Sequence, residues 1–270
     1  VTAAASGFLG ADPGYSALLA SLPAWAFAFV MVLGRVGAAV TLLPGLGEAD
    51  LPAPVRLGVA VAICVLLLPG LAPLMPPQPQ DAGRLAAMVA AEVVAGLWLG
   101  WLARLVSLAL PLAGQLVSYM IGLASVLQTD PLLGAQTTAL GRLFSLAAPV
   151  LLLASGLYAV PVAALAASYD VLRPGEMLPA GAGASSVAIA VAASFALAFQ
   201  LAAPFVLSSL VWQVAIGLTA RLVPRVQVYF AGLPGQLLTG LTLLAALSGA
   251  IAAAFQSGVR DAFSHLPGMG

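Results

Sequence analysis

The sequence predicts an all-α integral membrane protein made of long helical hairpins bent at internal prolines. Three observations predict it. Of 270 residues, 62% are hydrophobic and 7% charged, where a soluble globular domain carries roughly a quarter charged residues. Six apolar stretches reach or approach the ~20 helical residues that cross ~30 Å of hydrocarbon. Two of them are much longer than one crossing and hold a proline near the middle, where a missing backbone bond bends a helix.

Composition also excludes much. Nine Arg balance nine acidic residues and Lys is absent, which is not the basic footprint of a nucleic-acid binder. One Cys and one His leave no disulfide, zinc site or Cys/His catalytic pair, and no cofactor motif is present.

Taken in order, residues 1–17 (VTAAASGFLGADPGYSA) hold no Arg or Lys, so no secretory signal is expected and they read as an N-terminal tail. Residues 18–258 read as one helical domain and 259–270 as a C-terminal tail. The first span covers 18–43, interrupted by Arg35, and closes at Pro44-Gly45-Leu46-Gly47 with Glu48 and Asp50 beyond. The second covers 55–74 and stops in the proline-rich 76–79, so the two form a hairpin. From 84 to 128 only Pro111 interrupts a helical run of about 65 Å at the standard rise, so either two short helices or one kinked helix is expected. A polar loop at 128–138 precedes a fourth run, 143–167, read as one span. Residues 168–185, with Arg173-Pro174-Gly175-Glu176, read as a linker. The fifth run, 187–223, is again too long for one crossing and contains Pro204. A short apolar connection, 226–234, leads to a last span, 236–255, and a tail from Gln256 carrying Arg260, Asp261 and His265.

Arg35, Glu92 and Arg104 lie in or near the ends of apolar runs, where an ionisable group is costly and marks a pathway or a partner. Each Arg could instead snorkel to the interface. Glu92 and Arg104 stand about 18 Å apart along a helix and on different faces, so Glu92 needs a partner elsewhere or a proton. Gln115, Gln128, Gln200 and Gln213 read first as groups that bond across helix interfaces. Gly96 and Gly100 have the spacing of a helix-packing motif, but 28 glycines produce such spacings by chance. Met88, Met120 and Met177 are packing residues or a flexible seal, and Cys64 is a small buried hydrophobe. Without paired carboxylates or a phosphate loop, no enzyme activity is expected. One buried acid gives little to a proton-coupled carrier, so a six-span small-molecule transporter stays as the alternative.

The order of motifs carries a resemblance. The stretch from Arg35, RVGAAVTLLPGLGEADLPAPVRLGVAVAICVLLLPGLAP, resembles the opening of the flagellar biosynthesis protein FliR family: an Arg in span one, a Pro-Gly turn, and Pro-x-x-Arg-Leu-Gly leading into span two. Ala113-Gly114-Gln115 to Gly122, then Asp130-Pro131 and Leu140-Gly141, is similar to a mid-chain segment of that family, and VPRVQVYFAGLP at 223–234 to its late loop. The likeness covers about 18–258. It departs where many members carry a Gly-His pair and this chain has Ser155-Gly156-Leu157-Tyr158.

The resemblance implies an export-gate subunit of type III secretion in the bacterial inner membrane, at the flagellar basal body. Its implied partners are FliP-type and FliQ-type subunits, FlhB, more distantly FlhA, membrane lipid and unfolded flagellar proteins in transit. The injectisome counterpart shares the early motifs, whereas Gly232-Leu233-Pro234 is similar to the flagellar turn. Tyr119 to Pro131 resembles the family's plug, which implies an apolar seal from Tyr119, Met120, Ile121, Leu123, Val126 and Leu127. Gly122 would give room to bend, and Asp130-Pro131 would end the segment.

Overall fold

The computed structural model describes residues 13–48, 50–123, 138–222 and 228–268, and among these it holds eight α-helices and no strand. α1 (Pro13–Val40) and α2 (Ala53–Leu71) form the expected hairpin, with α1 starting inside the segment read as a tail. The turn between them is built on Gly45 at φ +84°, with Leu43 O accepting from Leu46 N (3.2 Å) and Gly47 N (2.7 Å). Only glycine takes that φ without strain, which is why the Pro-Gly turn ends α1.

α3 (Ala82–Ser107) starts at Asp81, whose carboxylate caps it by accepting from Arg84 N at 2.7 Å. It gives way at Leu108 to α4 (Ala109–Met120). Pro111 explains the break: it has no N–H for the Ser107 carbonyl and its ring crowds that oxygen. Ser107 adds to it by donating its hydroxyl to Arg104 O at 2.7 Å. Together α3 and α4 make one apolar stretch, Ala82–Met120, so of the two expected forms the kinked rod is the one adopted.

The fourth run is not a straight span. α5 (Ala139–Ala154), capped by Thr138 Oγ1 accepting from Gly141 N at 3.1 Å, and α6 (Ala159–Val171) meet at 71°. Ser155 donates its hydroxyl to Leu151 O (2.7 Å) and Leu152 O (3.2 Å), and Gly156 follows at φ +73°. A hydroxyl bonded back into the last turn and a left-handed residue stop the helix between residues that are otherwise apolar.

α7 (Ala180–Leu222) begins inside the segment read as a linker and runs unbroken through Pro204, about 65 Å at the usual rise. α8 (Val228–Ser264) absorbs Pro234, the expected connection and most of the expected tail. The tail reading at 259–270 is corrected by Phe255, Val259 and Phe263: spaced four apart on one helical face, all three are fully buried.

Among the described residues, five helical stretches are long and apolar enough to cross a membrane, and the bent α5–α6 pair makes a sixth if taken as one broken span. The protein is thus an all-α integral membrane protein. Its core is centred on α1 against α3, on α4 between α5 and α7, and on α7 against α8.

Candidate functional site

α1 and α3 approach until their backbones touch. A Cβ on Gly96 would collide with the Arg35 carbonyl oxygen, and one on Gly100 would stand 2.7 Å from Ala39 O. The glycine pair that chance could have produced is therefore used, as small residues are in membrane helix packing. On the same seam, a Cβ on Gly34 would stand 3.4 Å from the Glu92 Cβ.

This close approach brings Arg35 and Glu92 together, both fully buried. Arg35 Nε donates to Glu92 Oε2 at 2.8 Å and Nη2 to Oε1 at 3.0 Å, a two-pronged pair. Removing these two charges from water costs several kcal/mol per ion unless every remaining donor and acceptor finds a partner. Here the rest of the network comes from α6 and the chain after it. Arg35 Nη1 donates to Ser168 Oγ at 3.1 Å, Nη2 to Leu172 O at 3.2 Å, and Gly175 N donates to Glu92 Oε1 at 2.7 Å. The guanidinium also stacks 3.9 Å from the centre of the Tyr169 ring. Arg35 is thus paired and does not snorkel, and Glu92 has found the partner its burial demands.

The other polar residues separate. Arg104 Nη2 lies 3.5 Å from Glu48 Oε2 in a half-exposed pair that ties α3 to the α1–α2 turn. Gln115 is half-buried and lies under Gly141, whose added Cβ would stand 2.8 Å from its Cγ. Gln200 and Gln213 are exposed on α7, Gln200 at the rim of a cleft toward α8. His265 is exposed and lines, with Asp261 and Gln200, an apolar cleft of about 330 Å³ between α7 and the end of α8.

Of the stretch read as a seal, Tyr119 is exposed and closes α4, and Gly122 takes φ +79° just beyond it. Met120 and Ile121 belong to the packing instead. Ser209 of α7 donates to Met120 Sδ at 3.3 Å, Gln236 Nε2 of α8 donates to Met120 O at 2.8 Å, and a Cβ on Gly240 would collide with Ile121. Leu123 is half-buried against the core, while Val126, Leu127, Gln128, Asp130 and Pro131 lie outside the described residues. Gln236 does not stand out in the sequence, since a Gln early in an apolar run carries no sign of a carbonyl waiting more than a hundred residues upstream.

Residues 26–262 match the sequence model of the family described as bacterial export proteins, family 1. The chain belongs to that family. Among similar proteins is the flagellar biosynthetic protein FliR of Caulobacter vibrioides, 34% identical over 220 residues, which are 81% of this chain and 88% of that protein. Two further proteins of that name, from Bacillus subtilis and Escherichia coli, are 26% and 27% identical over 80% and 84% of this chain and 84% and 87% of their own lengths. The clamp and the glycine seam both fall within the part of the chain that matches the export family.

Proposed function

We propose that the chain is a structural and gating subunit of the flagellar type III export gate, helping to form the closed conduit by which unfolded flagellar proteins cross the bacterial inner membrane. The observation that carries the reading is the arm formed by α7 and α8. At ~1.5 Å per residue, α7 is about 65 Å long, roughly twice the hydrocarbon thickness. Leu207, Leu210, Val211, Val214, Leu218 and Leu222 are all exposed along one side of it. Lipid can cover only part of such a length, so the remainder needs apolar protein. Subunits of FliP and FliQ type are the proposed cover, with FlhB beside them and FlhA more distant. The similarity to flagellar proteins favours that system over the injectisome.

Closure is proposed at the end of α4, by Tyr119 and Leu123 with Val126 and Leu127, backed by Met120 and Ile121 and turned at Gly122, with Asp130-Pro131 ending the segment. A narrow apolar neck wets poorly and so blocks ions. Two experiments test the reading. In the first, the chain is expected to co-purify with FliP-type and FliQ-type subunits and its deletion to leave cells without filaments. A lone chain that moves a small solute in proteoliposomes would make it a transporter instead. In the second, deleting residues 123–127 is expected to leave the complex assembled but leaky to ions, and unchanged conductance would remove the seal.

A further inference from the structure

The Arg35–Glu92 pair joins α1 to α3, but three of its hydrogen bonds reach elsewhere: to Ser168 Oγ, Leu172 O and Gly175 N. Every one of these groups lies on α6 or the connector 172–179 that follows it. The other end of α6 is a four-residue break, Ser155 to Tyr158, where Gly156 stands at φ +73° with nothing within 4 Å of the place a Cβ would occupy. We propose that α6 is a swinging segment. The ion pair is a fixed anchor, the three bonds and the Tyr169 ring are the catch, and Gly156 is the hinge about which α6 leaves the α1–α3 seam and straightens toward the line of α5.

Several features fit a catch better than a permanent joint. Release breaks three hydrogen bonds and uncovers Ala164 and Leu165, but it leaves Arg35 and Glu92 paired with each other, so neither loses its counter-charge. The Tyr169 hydroxyl is buried beside the Glu92 carboxylate without a well-formed hydrogen bond among the described residues, so it holds the docked form only weakly. The released form is acceptable to lipid: Leu146, Val150, Leu153, Tyr158 and Val171 already face outward on the bent pair, and α5 and α6 together have the length and apolarity of one span. The connector permits the motion. A 13-residue helix is about 20 Å long, so full straightening through 71° carries its far end about 23 Å, and eight extended residues reach about 26–29 Å. The connector's slack sets how far α6 can swing before it draws on α7.

The test is a pair of spin labels on the exposed positions Asp170 of α6 and Arg84 of α3, with Cys64→Ser, measured in the chain purified with its assembled partners. The unaltered network is expected to give one dominant distance. Ser168→Ala removes one bond of the catch, and Gly156→Ala strains the hinge without a clash; each should add a longer-distance population, and the two together should make it the major one. Tyr169→Phe keeps the ring on the guanidinium and should leave the short distance dominant. All three are small changes outside the ion pair, and thermal melting of the same samples checks that the helices remain folded. An identical distance distribution in the unaltered protein and in the Ser168→Ala/Gly156→Ala double variant would overturn the proposal, as would a longer distance produced by Tyr169→Phe.

Discussion

The rod formed by α3 and α4 and the final helix α8 are both long and apolar, yet the chain treats them in opposite ways. In the most apolar part of α3–α4, 56% of residues are buried within the chain, against 11% in α8. The first is gripped on several sides by α1, α5 and α7 and carries the Arg35–Glu92 pair; the second packs mainly on α7, and its most apolar part is left largely uncovered. Apolar sequence of one kind thus does two jobs. Glycines seat both helices closely, Gly96 and Gly100 against α1 and Gly232, Gly235 and Gly258 against α7; what α3 has and α8 lacks among the described residues is a buried ion pair and neighbours on several sides.

The contrast can be broken at its strongest point first. Glu92→Ala leaves Arg35 buried without its counter-charge and should destabilise the detergent-solubilised protein by about 3–5 kcal/mol. In thermal unfolding, the volume-matched Arg35→Met/Glu92→Met double change should recover most of that loss. Recovery would separate the penalty of an unpaired charge from the worth of the pair, and its absence would show that the bonds to α6 carry more. Next is the seam itself. Gly96→Ala drives a methyl into the Arg35 carbonyl, and such overpacking should cost about 1–3 kcal/mol by the same measurement.

The uncovered arm should respond in the opposite sense. Leu210→Ala and Val211→Ala, at positions 56% and 71% exposed, should leave the isolated chain within about 0.5 kcal/mol of its stability. If the arm docks against partner subunits, their recovery in a pull-down should fall. Full recovery with both changes would mean that this side of α7 faces lipid alone. The smallest effect is expected from Arg104→Ala, because its pair with Glu48 is half-exposed and such pairs contribute at most about 1 kcal/mol, which salt screens further.

The extent of the first two spans, the Pro-Gly turn after α1 and the proline inside the third run are legible in the sequence, because they follow from backbone chemistry that each residue carries locally. The features that are not legible depend on contacts distant in the chain. The partner of Glu92 lies on another helix, and the rest of its network on a third, so no periodicity could join them. The bend at Ser155 has no proline at its centre; it rests on a hydroxyl bonding backward and a glycine turning left, two events common inside straight membrane helices too. Residues after Gln256 read as a tail because Ser257, Arg260 and Asp261 stand among them, while the apolar face of Phe255, Val259 and Phe263 has a four-residue repeat that three residues alone do not announce. Gln200 and Gln213 read as groups that bond across helix interfaces, and the sequence does not tell that both stand exposed on α7.

That buried face of α8 bears on how the protein is made. Phe255, Val259 and Phe263 fill the centre of the molecule from a helix that is translated after every helix they pack against. Until they emerge, the helices already inserted surround an open slot. Synthesis order therefore leaves the bundle open until α8 is made, and recruitment of any companion subunit to a finished shape has to wait for those aromatic side chains.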